Sequence, residues 1–228
     1  NADASEGMMC GNGSRCIAKF VYDKGLTQKN PITLETLSGI KTIAMDVADG
    51  KVVSATVDMG VPITDPSSIP MTWEKSICLD ETITVTVDGA PLSLRGTGVS
   101  MGNPHFVTFV EDVATAPVEK VGRVIEHSSY FPERVNVEFV EIVDDNHVKF
   151  RVWERGSGET LACGTGACAV AYTAITLGKA GRRDQFLTVE AVGGPLQLNY
   201  RSDGHMMMKG PAVTVYEGEM EIPDNILK

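Results

Sequence analysis

Glu154-Arg155-Gly156-Ser157-Gly158-Glu159-Thr160-Leu161-Ala162-Cys163-Gly164-Thr165-Gly166 leads from a strand into a helix. Before it, Val148 to Trp153 alternates as a half-buried strand does, and after it Ala167 to Leu177 is apolar enough for a buried helix. A lone cysteine therefore sits where a glycine-rich loop becomes a helix. The pattern recurs near the start of the chain. Cys10-Gly11-Asn12-Gly13 precedes a predicted helix over Ser14 to Lys24, which Gly25 stops as Gly178 stops the other.

A helix start presents unpaired N–H groups and about half a positive charge, so it attracts anions. The same field favours thiolate over the ordinary thiol, whose pKa is about 8.5. Two such starts face to face would hold a carboxylate across both ends, with its α-carbon between two sulfurs. Inverting that carbon by proton transfer requires a base on one face and an acid on the other. A thiolate and a thiol that exchange roles with direction supply both, and they titrate as a coupled pair. The N–H groups would stabilise charge building on the carboxylate as the α-proton leaves. Blander readings stand beside this one. A free cysteine is commonly a small buried hydrophobe, and Gly11-Asn12-Gly13 also suits a hairpin turn. Gly164-Thr165-Gly166-Ala167-Cys168-Ala169 fits a relaxed dinucleotide fingerprint, though without the alternating strand and helix units such a fold needs. Duplication of loop, cysteine and helix favours the paired site.

Composition narrows the classes. The 228 residues are 43% hydrophobic and 22% charged, ordinary for a globular chain long enough for one or two domains. A net charge of −10 without a basic run argues against nucleic acid and anionic membrane surfaces. No apolar stretch has the length of a membrane-spanning helix. Five cysteines cannot all pair, and their spacings are not those of zinc or thioredoxin-like sites, so reduced thiols in a cytoplasm are expected. No metal or cofactor is expected.

Further runs at 32–37, 40–47 and 52–57 read as strands, with a proline-rich crossover from Met59 to Pro70. Strands are predicted at 82–87, 91–99, 106–111, 135–143 and 148–153, and an amphipathic helix over 117–127. After the second cysteine helix come strands at 186–192, 197–200, 205–209 and 212–216. Strands dominate, with one buried helix in each half, which predicts an α+β fold of two similar lobes with the site between them. The second half has several strand runs before its cysteine, whereas the first has only nine residues. By this internal analogy the front of the first lobe lies before Asn1. The expected division is 1–58, completed by 213–228, against 59–212.

Several motifs together resemble the diaminopimelate epimerase family. They are Asn1-Ala2-Asp3-Ala4-Ser5-Glu6, Cys10-Gly11-Asn12-Gly13-Ser14-Arg15-Cys16, Met101-Gly102-Asn103-Pro104-His105, Pro132-Glu133-Arg134-Val135-Asn136-Val137 and the stretch 154–166, with Gly210-Pro211-Ala212-Val213 near the end. Ala4 stands where the family has glycine, outside the positions the family uses. The resemblance implies two pseudo-symmetric lobes, each a β-sheet wrapped round a central helix, with the last strand returning to the first lobe. It implies conversion of LL-diaminopimelate to the meso form, without cofactor, by Cys10 and Cys163. His105 and Glu154 would tune the thiols. Glu154 and Arg155 would grip the far end of the substrate, where a guanidinium clamps a carboxylate bidentately. Asn1, Asn103 and Asn136 would hold the distal amino-acid group. Gly11, Asn12, Gly164 and Thr165 would offer backbone N–H groups to the reacting carboxylate, and a homodimer is open to such a fold. Each of these side chains also has an ordinary structural role: ion pair, core histidine, or turn and cap asparagine. Within the superfamily, a proline or hydroxyproline racemase would carry Cys-Gly-His-Gly first and Ser-Pro-Cys-Gly-Thr-Gly second, against which Asn12 and Leu161-Ala162 speak. A non-catalytic binding protein of the same fold would be expected to lose one cysteine. An oxidoreductase using nicotinamide rests on the glycine match alone.

Overall fold

The computed structural model describes residues 9–221. Its elements run α1 (Gly11–Asp23), β1 (Ile32–Thr36), β2 (Gly39–Ala48), β3 (Lys51–Asp58), β4 (Glu81–Val87), β5 (Ala90–Ser100) and β6 (Pro104–Phe109). They continue with α2 (Val118–Glu126), β7 (Asn136–Asp144), β8 (His147–Glu154), β9 (Gly158–Thr160), α3 (Gly164–Thr176), β10 (Leu187–Ala191), β11 (Gly194–Tyr200) and β12 (Met206–Pro211). The α+β class expected from the strand runs is the class observed.

One hydrogen-bonded path orders the strands β1-β2-β3-β12-β11-β10-β8-β7-β6-β5-β4, with β9 paired to β8 at the side. Neighbours are antiparallel except β10 with β8 and β6 with β7. The thirteen-residue α3 touches β5, β6, β7, β8, β10, β11 and β12. A single short helix reaches seven strands only where the sheet curls round it. Its Ala167 to Ala171 are fully buried, which their small side chains permit at close approach. Helix α2 lies on the opposite face, against β4, β7, β8 and β9.

Period-two alternation divides the strands between these two faces. Phe106, Val137 and Phe139 join the cluster around α2. Val107, Val140, Val148, Phe150 and Val152 face α3. His105, Glu138 and Glu154 share the parity of this second set, which puts three ionisable groups on the helix-facing side.

Helix α1 packs on β2, β3 and β12 and meets α3. It is less enclosed, with Ile17 and Phe20 exposed. The link between the halves is β12, whose residues 207–211 pair with β3 while 206–209 pair with β11. The strand expected at 212–216 does not form. Pro211 ends the ladder without an N–H to donate, and Val213, Val215 and Tyr216 are exposed beyond it. The short β9 lay hidden in the glycine-rich loop. Among the described residues no helix is long and apolar enough to cross a membrane.

Candidate active site

Each cysteine forms the N-cap of its helix, and the two caps are near copies. Cys10 has φ −126° and ψ 106°, and Cys163 has φ −125° and ψ 114°. Each Sγ accepts from the N–H three residues on, Gly13 and Gly166, at 3.3 Å. Sulfur here replaces the serine or aspartate oxygen that usually caps a helix. Both helices have thirteen residues, and each is followed by a glycine in the left-handed region, Gly25 at φ 73° and Gly178 at φ 65°.

The two starts abut through glycine. A side chain at Gly164 would begin 3.7 Å from Gly11 Cα, and one at Gly11 would begin 2.5 Å from Met208 Cε on β12. A side chain at Gly11 would have to displace the Met208 methyl, whereas one at Gly164 would meet its neighbours at ordinary contact distance. Two sets of unpaired N–H groups therefore converge on one region, flanked by two sulfurs.

The surroundings of the sulfurs differ. Cys10 is exposed and Cys163 is buried; neither is in a disulfide. Burial, with Glu154 and then Glu138 nearby, pushes the Cys163 thiol up to about 12, against weaker opposition from Thr165 and the Gly166 N–H. The lowered pKa expected at a helix start is thus reversed at Cys163, because desolvation and two carboxylates outweigh the helix field. Cys163 is a thiol at neutral pH.

Behind Cys163 lies a buried polar cluster. His105 Nδ1 meets Glu138 Oε1 at 2.6 Å, and both side chains are fully buried. His105 Nε2 lies 3.0 Å from Asn103 Oδ1. Glu154 accepts a hydrogen bond from Thr160 Oγ1. Glu138 was absent from the sequence-based site. In the sequence Glu138 follows Asn136 on the polar side of an alternating run whose apolar side is Val135, Val137 and Phe139, so nothing local marks it as buried.

The asparagines are held by the fold. Asn136 Nδ2 donates to Pro104 O at 2.8 Å, and its Oδ1 accepts from Arg155 N at 2.9 Å. Asn136 thus fixes the loop that carries Arg155 and keeps one amide hydrogen spare. Asn12 Oδ1 accepts from Arg15 Nη2 at 3.0 Å. Arg15 is buried beneath the first helix start, reaching Gly11 O at 3.4 Å and Pro211 O at 3.3 Å. The Arg155 guanidinium is exposed and donates to Glu133 O at 3.2 Å. Buried Glu126 receives Trp153 Nε1 at 2.7 Å and Gly156 N at 2.9 Å, tying down the turn after Glu154. Asn1 lies outside the described residues.

The family model for diaminopimelate epimerase matches residues 1–64 and 97–215. The chain belongs to the diaminopimelate epimerase family. It is 50% identical over 223 residues to the diaminopimelate epimerase of Methanococcus maripaludis, covering 97% of this chain and 78% of that one. It is 47% identical over 218 residues to that of Bacillus subtilis, covering 96% and 75%. More distant solved structures share the fold. A probable proline racemase from Agrobacterium radiobacter superposes with a TM-score of 0.70 at 16% identity, over 96% of this chain and 68% of its own. A PhzF-family phenazine biosynthesis protein from Bacillus anthracis gives 0.63 at 18%, over 95% and 77%. Membership makes the chain an isomerase, a diaminopimelate epimerase of lysine synthesis.

Proposed function

We propose that the chain interconverts LL- and meso-diaminopimelate without a cofactor, with Cys10 and Cys163 as the two proton-transfer groups at one α-carbon. The observation that carries this reading is the abutment of two cysteine-capped helix starts through Gly11 and Gly164. The reacting carboxylate lies across the N–H groups of Gly11, Asn12, Gly164 and Thr165, which stabilise the negative charge that develops there. Cys163, a thiol at rest, donates to one face of the carbon while Cys10 takes the proton from the other. Glu154 attracts the substrate's ammonium, and Arg155 clamps the distal carboxylate. Asn1, Asn103 and Asn136 orient the distal amino-acid group. His105 stands beside a catalytic cysteine, able to take or hold its proton. In this reading the lobes, 1–58 with 213–228 and 59–212, meet at the helix starts. The free thiols and the net charge of −10 support a cytoplasmic enzyme for a small zwitterion. A homodimer is the expected assembly, measured by light scattering.

The deciding experiment incubates the full chain with LL-diaminopimelate in D2O, with no cofactor added. Uptake of α-deuterium with formation of the meso isomer is expected, with inversion lost in both Cys10→Ala and Cys163→Ala. Absence of uptake by the reduced protein would overturn the assignment.

A further inference from the structure

Glu138 is costly where it stands. Its side chain is fully buried, its Oε2 has no hydrogen-bond partner, and its Oε1 alone is engaged, with His105. A carboxylate retained in the interior with one oxygen unpartnered points to a gain other than stability. Its place is specific. A side chain at Gly166 would begin 2.8 Å from Glu138 Oε1, 3.1 Å from Cys163 Cβ and 3.3 Å from Cys163 Sγ. Carboxylate and thiol thus flank the same glycine in the first turn of α3.

We propose that Glu138 is a positioning residue that holds His105 by Nδ1 and forms with it a two-residue proton store for Cys163. This rests on the two-cysteine reading and deepens it. Asn103 Oδ1 accepts from His105 Nε2–H, which leaves Nδ1 and Glu138 Oε1 sharing one proton. Imidazole with carboxylic acid and imidazolium with carboxylate are both neutral overall, so the pair can be buried in either form. When Cys163 Sγ gives its proton to the α-carbon, the thiolate takes the shared proton. The pair is left as neutral imidazole and carboxylate, and uptake of one proton from water at the Nδ1–carboxylate side restores it. The titratable groups around Glu138 are His105 on β6, Glu154 on β8 and Cys163 on α3; burial, and after it the nearby Glu154, pushes Glu138 above the usual carboxylate range against the pull of His105.

Glu138→Gln keeps size and one hydrogen bond to Nδ1 but cannot pass a proton. Its kcat should fall ~100-fold, the scale of one acid–base partner, with KM within about threefold of wild type and thermal stability equal or higher. Glu138→Asp should recover part of kcat. In the wild-type protein, selective ¹⁵N labelling of its four histidines should show a strongly downfield Nδ1 proton for His105, absent from Glu138→Gln. Wild-type kcat and pH profile in Glu138→Gln would overturn the proposal, as would a fall in stability that accounts for the lost activity. If Glu138→Gln does not fold, absence of the downfield proton in wild type overturns it alone. Failure of wild type to exchange deuterium would instead overturn the epimerase assignment, which the histidine spectrum does not test.

Discussion

Cys163 should be a poor nucleophile, and the size of the deficit follows from its surroundings. With the thiol pushed up to about 12, the thiolate fraction at pH 8 is about one in ten thousand. A free thiol with pKa about 8.5 is roughly one-quarter thiolate at the same pH. Thiolate population alone therefore makes Cys163 about 2,400-fold slower than a small thiol. A more basic thiolate is also a better nucleophile, and a Brønsted coefficient of about 0.45 over this difference returns roughly 40-fold. The net expectation is reaction about 60-fold slower than glutathione toward a small aromatic disulfide, before any loss from restricted access. The assay is time-resolved labelling of the unliganded protein followed by peptide mass spectrometry, with Cys10→Ala as background. Between pH 7 and 10 the Cys163 rate should rise tenfold per unit, whereas glutathione levels off above its own pKa. A Cys163 rate within fivefold of glutathione, or a plateau below pH 10, would show that the helix field prevails over burial and the two carboxylates.

Gly166→Ala places a methyl 2.8 Å from Glu138 Oε1 and 3.3 Å from Cys163 Sγ, yet alanine suits a helix. The variant should fold with near-normal stability and lose at least ~10-fold in kcat; full activity would mean the carboxylate moves freely. Gly122→Ala on α2 would start a side chain 2.5 Å from Trp153 Cβ. Overpacking of this kind costs about 1–3 kcal/mol, to be read from urea unfolding, and a neutral result would show that α2 shifts without cost. Asp23 is pushed up by burial, but Lys19 and the Val52 N–H more than offset this and hold its carboxyl below its usual value. A depressed carboxylate adds stability above its unfolded pKa of about 3.9, and that stability is lost as pH falls through the folded value. Asp23→Asn should therefore be less stable than wild type at pH 7 and converge with it only as pH falls through the lowered folded value, as thermal melts across the acid range will show.

Much of this architecture is legible in the residues because local signals agree. The glycines after each cysteine and at positions 25 and 178 mark both ends of both helices, and the structure has α1 and α3 there. Alternation marks the strands to within a few residues. What was not legible depends on contacts between distant segments. That β12 joins the halves requires knowing that residues 207–211 lie beside β3. Asn136 reads as a ligand or a turn residue in sequence, but in space it straps Pro104 to Arg155. Glu138 looks like a surface residue of a strand until β6 and β8 are set on either side, which turns its face toward α3. The direction of the Cys163 shift was missed for the same reason. A helix start is visible in sequence, whereas burial and two carboxylates from other strands are not.

The near-identity of the two caps sharpens what their difference means. Both sulfurs have the same backbone conformation, the same N–H donor three residues on and a helix of the same length. The helix field is therefore a common contribution and cannot separate them. What separates them among the described residues is the pair of carboxylates, Glu154 and Glu138, beside the buried Cys163. In a two-cysteine mechanism the enzyme alternates between two protonation forms, one for each direction. Burial of Cys163 among carboxylates makes its thiolate a costly form. Each turnover that spends the Cys163 proton leaves the enzyme in that form. The buried sulfur must then regain a proton before the same direction can run again. Glu138, which flanks Gly166 together with Cys163 and is joined to His105, stands where such a proton could be held.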